Sequence, residues 1–351
     1  MTLTGTIARI HAPDRRLAEA TQGLLDHKTK PRRSLGRLED LACQIAAIRG
    51  TSTLAPLRKA IVVMGADHGV AAEGVSAFPQ AVTRQMLLNF ARGGAAINVL
   101  ARHASARLLV VDMGIVEPLP DEPAIRAHRI AAGTRNFAYG PAMTRAEAVA
   151  ALEAGIAIAA ELAHDGTTLL GAGEMGIGNT TAASALAAVL TGAAPDAVTG
   201  RGTGIDDASL AHKRAVIQRA IAANRPDAGD PLDVLAKLGG FEIAGIAGLV
   251  LGGAAAGIPI VVDGFICSAA ALIATRLAPA ARGYLIAAHR SAEHGHRHVL
   301  AALDIAPLLE LDLRLGEASG AALAMPIVDA ALGILRDMAT FESAGVSDRE
   351  P

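Results

Sequence analysis

The chain has 351 residues, a formal net charge of −2 at pH 7 and a hydrophobic content of 52%, which is enough apolar material for a large core. It has no block of lysine and arginine, and aromatic residues make up only 2% of it, so the features of a nucleic-acid-binding protein are missing. Cys43 and Cys267 are too few for a disulfide framework or a zinc knuckle, and charges interrupt the first residues where a signal peptide needs its apolar core. We therefore expect a cytoplasmic protein.

The predicted elements begin with a helix over residues 36–48, where Leu38, Leu41 and Ile45 share one apolar stripe. A last helix is predicted over residues 321–338. Between these helices, short apolar runs alternate with helical patterns, at 60–64, 108–111, 168–170, 260–262 and 285–288. Each run is apolar on both faces, as in parallel strands buried between two layers of helices.

This alternation predicts an α/β fold with a doubly wound, mostly parallel sheet. We expect residues 51–314 to form a large α/β domain. Residues 1–50 and 315–351, which contain the first and last predicted helices, are expected to form a smaller helical lobe beside it.

Polar residues and glycines follow the predicted strands, at the edge where open α/β sheets hold their ligands. These residues are Asp67, His68, Asp112, Gly173, Glu174, Asp263, Gly264, His289 and Ser291. We therefore expect the site at the carboxyl ends of the strands.

Residues 243–262 are uncharged, and Gly248 with Gly252 has the spacing of packed transmembrane helices. A membrane span is thus one interpretation of this segment. Gly257 and Pro259 interrupt it, however, so a helix of about fourteen residues would span only about 21 Å. We favour a buried helix followed by a strand, with no membrane association.

The segment LLGAGEMGIGNTTAASAL, residues 169–186, contains G-x-G-x-x-G before an alanine-rich helix. Three interpretations are open: a dinucleotide-binding loop, a structural turn, and a site for the phosphate of a single nucleotide. The third is favoured because Gly178, Thr180 and Thr181 extend the set of donors at the helix start. Asp196 has the spacing of the acid that a dinucleotide loop requires, but no strand precedes it.

A second glycine cluster, VTGRGTGIDD, begins at residue 198. Its acids, Asp206 and Asp207, fit a helix cap better than a diphosphate site, because the strand and turn that a diphosphate site needs are in the wrong order. Lys213 on the following helix is free to reach a ligand.

Two further motifs have more than one interpretation. His289, His294, His296 and His298 could bind a metal ion, but we favour surface or phosphate-facing side chains and expect no metal. In RLGEASGAALA, residues 314–324, Glu317 is either a charge at a helix start or a carboxylate that a ligand approaches between two glycines.

Taken together, seven ordered blocks resemble the nicotinate-nucleotide:dimethylbenzimidazole phosphoribosyltransferase family. They are KPRRSLGRLEDLA, GADHGVAAEGVSAFPQAVTRQM, GAGEMGIGNTTAASAL, TGRGTG, VVDGFICSAAA, AHRSAEHGH and RLGEASGAALA. The resemblance implies transfer of the phosphoribosyl group of nicotinate mononucleotide to 5,6-dimethylbenzimidazole, which gives α-ribazole 5′-phosphate and nicotinate. It also implies a homodimer and no cofactor.

By position, the resemblance assigns the general base to Glu317 and implies that Glu174 stabilises the charge of the reacting ribose. Phe78 and Met86 would line the pocket of the base. The other implied substrate-binding residues are Gly176, Gly178, Asn179, Thr180, Gly202, Lys213, Gly264, Ser291 and Leu315.

The sequence departs from the family pattern at Arg33, where a glycine is usual, at His294, where proline is common, and at Met86, where some members have glutamine. Met86 bears on which base is accepted. Two other functions remain as alternatives: an NAD-binding oxidoreductase that uses the GAGEMG loop, and a non-catalytic nucleotide-binding module.

Overall fold

One six-stranded sheet forms the centre of the protein, in a computed structural model that describes residues 1–347. All neighbouring strands are parallel, in the order β3-β2-β1-β4-β5-β6. The strands are β1 (Lys59–Ala66), β2 (Ala106–Gly114), β3 (Ile125–Ala127), β4 (Leu169–Met175), β5 (Ile260–Val262) and β6 (Leu285–Ala287). The predicted α/β fold is confirmed. Because the strand order reverses between β1 and β4, a crevice opens at their carboxyl ends.

Helices cover both faces of this sheet. In the first half of the chain they are α1 (Leu3–Ile7), α2 (Arg15–Asp26), α3 (Arg37–Arg49), α4 (Ala81–Ala91), α5 (Ala96–His103), α6 (Arg145–His164) and α7 (Asn179–Thr191). In the second half they are α8 (Pro195–Val198), α9 (Asp207–Asn224), α10 (Pro231–Leu238), α11 (Phe241–Ala255), α12 (Phe265–Leu277), α13 (His296–Leu303), α14 (Ser319–Asp337) and α15 (Phe341–Ala344).

All five predicted strands are present, but several are longer than their apolar runs. The important case is β4, which continues to Met175 instead of ending at residue 170. Gly171 and Gly173 weaken the strand signal in the sequence, yet both pair with β1 in the ladder. The short β3 was missed because its residues lack an apolar pattern: Ile125 and Arg126 are half-buried and Ala127 is exposed.

Two hydrophobic cores lie on opposite faces of the sheet. One contains residues of α6, α7, α10, α11 and α12, and the other contains residues of α2 to α5 and α14. Helices α2, α3 and α14 pack together, and they come from the two ends of the chain that were predicted to form a lobe. Helix α1 instead packs on α6 and α11 in the opposite layer. The boundaries of a separate lobe stay a prediction.

The uncharged segment 243–262 forms a buried helix and a strand, as expected. α11 ends at Ala255, and Gly257 has a φ of +67° before β5 begins. A Cβ atom at Gly248 would lie 1.9 Å from the carbonyl oxygen of Leu152, so the small residues allow α11 to touch α6. Within residues 1–347, α14 alone has the length and composition to cross a membrane, and 56% of its apolar window is buried in the protein.

Candidate active site

A cavity of about 440 Å³ lies at the carboxyl ends of the central strands. One part of its wall is apolar and includes Phe78, Val82, Met86, Ile177 and Leu315. Another part carries small polar groups and carboxylates, contributed by Glu174, Asn179, Thr180, Gly202, Thr203, Gly264, Ser291, Glu293 and Glu317. The cavity therefore offers an apolar surface for a ring and polar groups for a sugar phosphate.

Every substrate-contact residue named from the sequence lines this cavity except Gly178 and Lys213, which lie directly behind the wall. Gly178 has a φ of +97°, and a Cβ atom there would lie 3.4 Å from Cβ of His68. It precedes the first turn of α7, so its role in the structure is to turn the chain from β4 into that helix.

The G-x-G-x-x-G motif does not form a dinucleotide-binding loop. Its first two glycines lie inside β4, where a Cβ atom at Gly171 would be 2.8 Å from Cε of Met325 and one at Gly173 would be 2.6 Å from the amide nitrogen of Ala318. These glycines let α14 approach the strand closely. Only Gly176 of the motif reaches the cavity, where it leads toward the N-terminus of α7 and its Thr180 hydroxyl.

Lys213 of α9 lies behind the cavity wall and contacts Thr180, which lines the cavity. Its side chain is 1% exposed, and its Nζ donates a hydrogen bond to Thr180 Oγ1 at 2.7 Å. Burial lowers the pKa of Lys213 to about 8, and the nearby carboxylate of Glu293 opposes that shift. Asp206 caps α9 by accepting the amide of Ser209 at 2.8 Å, which confirms the capping interpretation.

Glu174 lies at the end of β4 and is held by Asn179, whose Nδ2 donates a hydrogen bond to its Oε2. Burial, and then the negative charge of Glu242, raise the pKa of Glu174 to about 8. Gly316 makes room for this carboxyl group, since a Cβ atom at residue 316 would lie 2.2 Å from Glu174 Oε1.

Glu317 is held in an unusual backbone conformation two residues before α14. Its φ is +60° and that of Ala318 is +66°, in a region that residues with a side chain rarely adopt. The Glu317 side chain is 6% exposed, and its Oε2 has no hydrogen-bond partner within residues 1–347. Burial raises its pKa to about 7. Of the two interpretations of Glu317, the carboxylate that faces the cavity is the one the structure supports.

The four histidines near the end of β6 have different environments. His289 is buried on the cavity wall, His294 is exposed and His298 is half-buried. His296 is fully buried, with its Nε2 2.9 Å from Ser268 Oγ and its Nδ1 accepting the amide of Ser291 at 2.9 Å. It therefore orients the loop that carries Ser291. No group of three or more histidine, cysteine or acidic side chains in the described part of the chain is arranged to hold a metal ion.

Several buried polar groups near this cavity were not predicted as catalytic or substrate-binding residues, although His68 and Asp263 were noted as polar residues at strand ends. His68 and Glu242 form a fully buried pair, with His68 Nε2 2.6 Å from Glu242 Oε1. Asp263, near Glu317, is 1% exposed, while Glu293 lines the cavity. The positions of His68 and Asp263 after apolar strands were a usable signal, but nothing in the local sequence connects Glu242 or Glu293 to the cavity.

Comparison with known proteins shows the family of this chain. A family model described as phosphoribosyltransferase matches residues 10–346. The chain is 56% identical over 344 residues to the nicotinate-nucleotide–dimethylbenzimidazole phosphoribosyltransferase of Geobacter metallireducens, covering 98% of each chain. It is 55% identical over 348 residues to the protein of the same name from Chloroflexus aggregans, covering 99% of each.

Solved structures give the same result. The crystal structure of CobT from Thermus thermophilus superposes with a TM-score of 0.91 at 52% identity, over 95% of this chain and 99% of that one. A second structure from that organism, named as the same phosphoribosyltransferase, has a TM-score of 0.90 at 50% identity and covers 96% of this chain and 100% of that one. The protein is thus a transferase, and neither an oxidoreductase nor a non-catalytic module. The chain belongs to the nicotinate-nucleotide–dimethylbenzimidazole phosphoribosyltransferase family.

Proposed function

We propose that the protein transfers the phosphoribosyl group of nicotinate mononucleotide to 5,6-dimethylbenzimidazole, releasing nicotinate and α-ribazole 5′-phosphate. The names of the relatives support these substrates. The cavity supports them independently, because it combines an apolar wall for a planar base with polar groups for a sugar phosphate.

The observation that carries the proposal is the carboxylate of Glu317. It is buried on the cavity wall, and one of its oxygens has no partner among the described residues. When one nitrogen of the benzimidazole bonds to the anomeric carbon, the N–H on the other nitrogen becomes acidic. A carboxyl group with a pKa of about 7 is suited to accept that proton near neutral pH.

Glu174 acts on the other reactant. The nicotinate ring is a cationic leaving group, and the ribose becomes oxocarbenium-like as the glycosidic bond breaks. The pKa of Glu174 is about 8 in the ligand-free protein, and the cationic nucleotide beside it favours the ionised form. That carboxylate, oriented by Asn179, stabilises the developing charge from a buried position. The benzimidazole attacks from the opposite face, so the configuration at the anomeric carbon changes from β to α.

The remaining contacts divide between the two substrates. Thr180, Gly202 and Ser291 bind the phosphoribosyl group, together with Asn179 and Gly264, and the ammonium of Lys213 adds positive charge through Thr180. Phe78, Met86 and Leu315 form the pocket of the base. Gly176 brings the chain into α7, where backbone amides and the helix dipole favour an anion.

We place the enzyme in the cytoplasm as a homodimer without a cofactor, a metal, a nucleic-acid partner or a membrane anchor. Phe78 is 53% exposed and Leu315 is 55% exposed at the edge of the cavity. Large apolar side chains are rarely left exposed together, so we propose that a second copy of the chain packs against them.

The experiment that tests the proposal is a product assay on the wild-type protein and on Glu317→Gln. Purified protein is mixed with both substrates, nicotinate release is followed by chromatography, and the anomeric configuration of the product is determined by NMR. Wild type should give the α product. The variant should bind nicotinate mononucleotide normally but lose a factor of about 10² to 10⁴ in turnover, because the proton acceptor is gone.

The matched control is Glu310→Gln, which makes the same change on an exposed side chain that pairs with Arg290. It should turn over like wild type. No transfer by wild type would reject the proposed substrates, and wild-type turnover by Glu317→Gln would reject the proposed base.

A further inference from the structure

The helix that follows Glu317 begins without a cap of its own. The residue at the N-cap position of α14 is Ala318, which has no side chain that can accept a hydrogen bond. Asp263, at the end of β5, takes this role instead: its Oδ1 accepts the amide hydrogen of Ala321 at 2.9 Å. Residues of different elements, 58 positions apart, therefore form the cap.

The same turn is braced by a second residue, His289, which follows β6. Its ring packs so closely on Gly320 that a Cβ atom there would lie 2.0 Å from Cδ2 of His289. The Nε2 of His289 is 3.7 Å from Asp263 Oδ1. The first turn of α14 is thus fixed by groups at the ends of two adjacent strands.

This bracing accounts for how Glu317 keeps its position. Positive φ angles at Glu317 and Ala318 strain the backbone, so the surrounding structure must enforce them. The loop before them offers little support, since Arg314 and Leu315 are exposed. A hydrogen bond from the Ser319 amide to the Gly316 carbonyl closes this turn, and the cap on Ala321 ties it to the end of β5. Without the cap, the turn can shift and carry the carboxylate of Glu317 away from the cavity.

We propose that Asp263 is a positioning residue for Glu317: it anchors the first turn of α14, and its carboxyl group lies near the general base. This inference rests on the proposed function of Glu317. It assigns to Asp263 two separable effects, a geometric one through the hydrogen bond and an electrostatic one through the charge.

Several charged and titratable groups face this part of the cavity. Glu174, His289, Glu293 and Arg314 line it, while Glu242 of α11 and Asp263 after β5 are buried behind its wall. Burial is the largest cause of the raised pKa of Glu317, and the charge of Asp263 raises it further. The charge of Asp263 also raises the pKa of Glu174, and burial raises the pKa of Asp263 itself to about 7. Because both glutamates must be ionised for transfer, removing the charge at residue 263 should extend activity modestly to lower pH.

Two substitutions at this residue separate the effects. Asp263→Asn keeps an oxygen for the Ala321 amide but removes the charge. The acid limb of its profile of kcat against pH should move to lower pH by up to about half a unit, with an unchanged KM for nicotinate mononucleotide. Asp263→Ala removes the anchor as well, and its kcat should fall about 100-fold while KM changes little, since a displaced catalytic group costs rate rather than binding.

The matched control is Asp112→Asn. Asp112 is also a buried carboxyl group at a strand end, and it accepts the amides of Gly114 and Ile115 at 2.9 and 3.0 Å, but it is not among the charges that act on Glu317. Its variant should be less stable than wild type, with the acid limb in its original place. A shift of the limb in this control as well would show that any buried strand-end charge has the effect, and would overturn the specific role of Asp263.

The result that overturns the inference is an active wild type together with Asp263→Ala or Asp263→Asn variants whose kcat profiles match it. An inactive wild type would instead reject the proposed function. If neither Asp263 variant folds, Gly320→Ala displaces the same turn against His289 and leaves Asp263 intact. This variant should have a lower kcat, while the acid limb of its profile of kcat against pH stays in place. A wild-type kcat in this variant would also overturn the inference.

Discussion

Replacing Glu174 with glutamine should make the protein more stable while it abolishes efficient transfer. The pKa of Glu174 is raised from 4.5 to about 8 by burial and by the charge of Glu242. A carboxyl group with a raised pKa contributes stability that is fully present below about pH 4.5 and is lost as the pH rises through about 8. At pH 8 the Glu174 carboxyl group therefore lowers the free energy of unfolding relative to its value at low pH.

The size of that cost follows from the shift. At about 1.4 kcal/mol per pKa unit, the raised pKa corresponds to an upper limit of about 5 kcal/mol at high pH. Glu242, Asp263 and Glu317 share the repulsion, so we expect Glu174→Gln to gain about 2 to 3 kcal/mol at pH 8 and much less at pH 5.5, where the folded protein already holds the proton. Asn179 can still donate its hydrogen bond to the glutamine oxygen.

The assay is thermal unfolding of the ligand-free protein at pH 5.5 and pH 8. For a chain of this length, the gain at pH 8 corresponds to a rise in Tm of roughly 3 to 5 °C. Glu147→Gln is the opposite control: Arg135 holds the pKa of Glu147 at about 2, so its loss should lower Tm at both pH values. A Tm of Glu174→Gln that is unchanged or lower at pH 8, or that rises equally at pH 5.5, would refute the reasoning.

Two further predictions concern the walls of the cavity. Lys213→Ala should weaken binding of nicotinate mononucleotide by tenfold or more, because a buried ammonium group is lost. Added salt should not restore the binding. An unchanged Kd in a calorimetric titration would place the phosphate elsewhere. Gly316→Ala should fold but lose at least 100-fold in kcat, because residue 316 has a φ of +84° and a Cβ atom there would lie 2.2 Å from Glu174 Oε1. A wild-type kcat in this variant would show that Glu174 does not need its observed position.

Sequence reasoning named most of the residues that line the cavity, because the motifs lie at the ends of predicted strands. Glu174, Gly264 and Ser291 all follow apolar runs, and parallel strands bring their carboxyl ends to one edge. The same reasoning misread the GAGEMG segment as a loop that begins at Gly171. Glycine lowers the strand signal, and the reason for Gly171 and Gly173, the close approach of α14, lies in a segment far along the chain.

Local sequence was enough to predict the βαβ alternation, the interruption of the apolar segment at Gly257, and the cap at Asp206. These features depend on side-chain periodicity, backbone preferences and hydrogen bonds between near neighbours. Long-range packing was needed to show that Glu317 faces the cavity, that Asp263 caps α14, and that Lys213 reaches the cavity through Thr180. Burial and the proximity of charges set the pKa values and the partners of these groups, and both depend on which distant segments pack together.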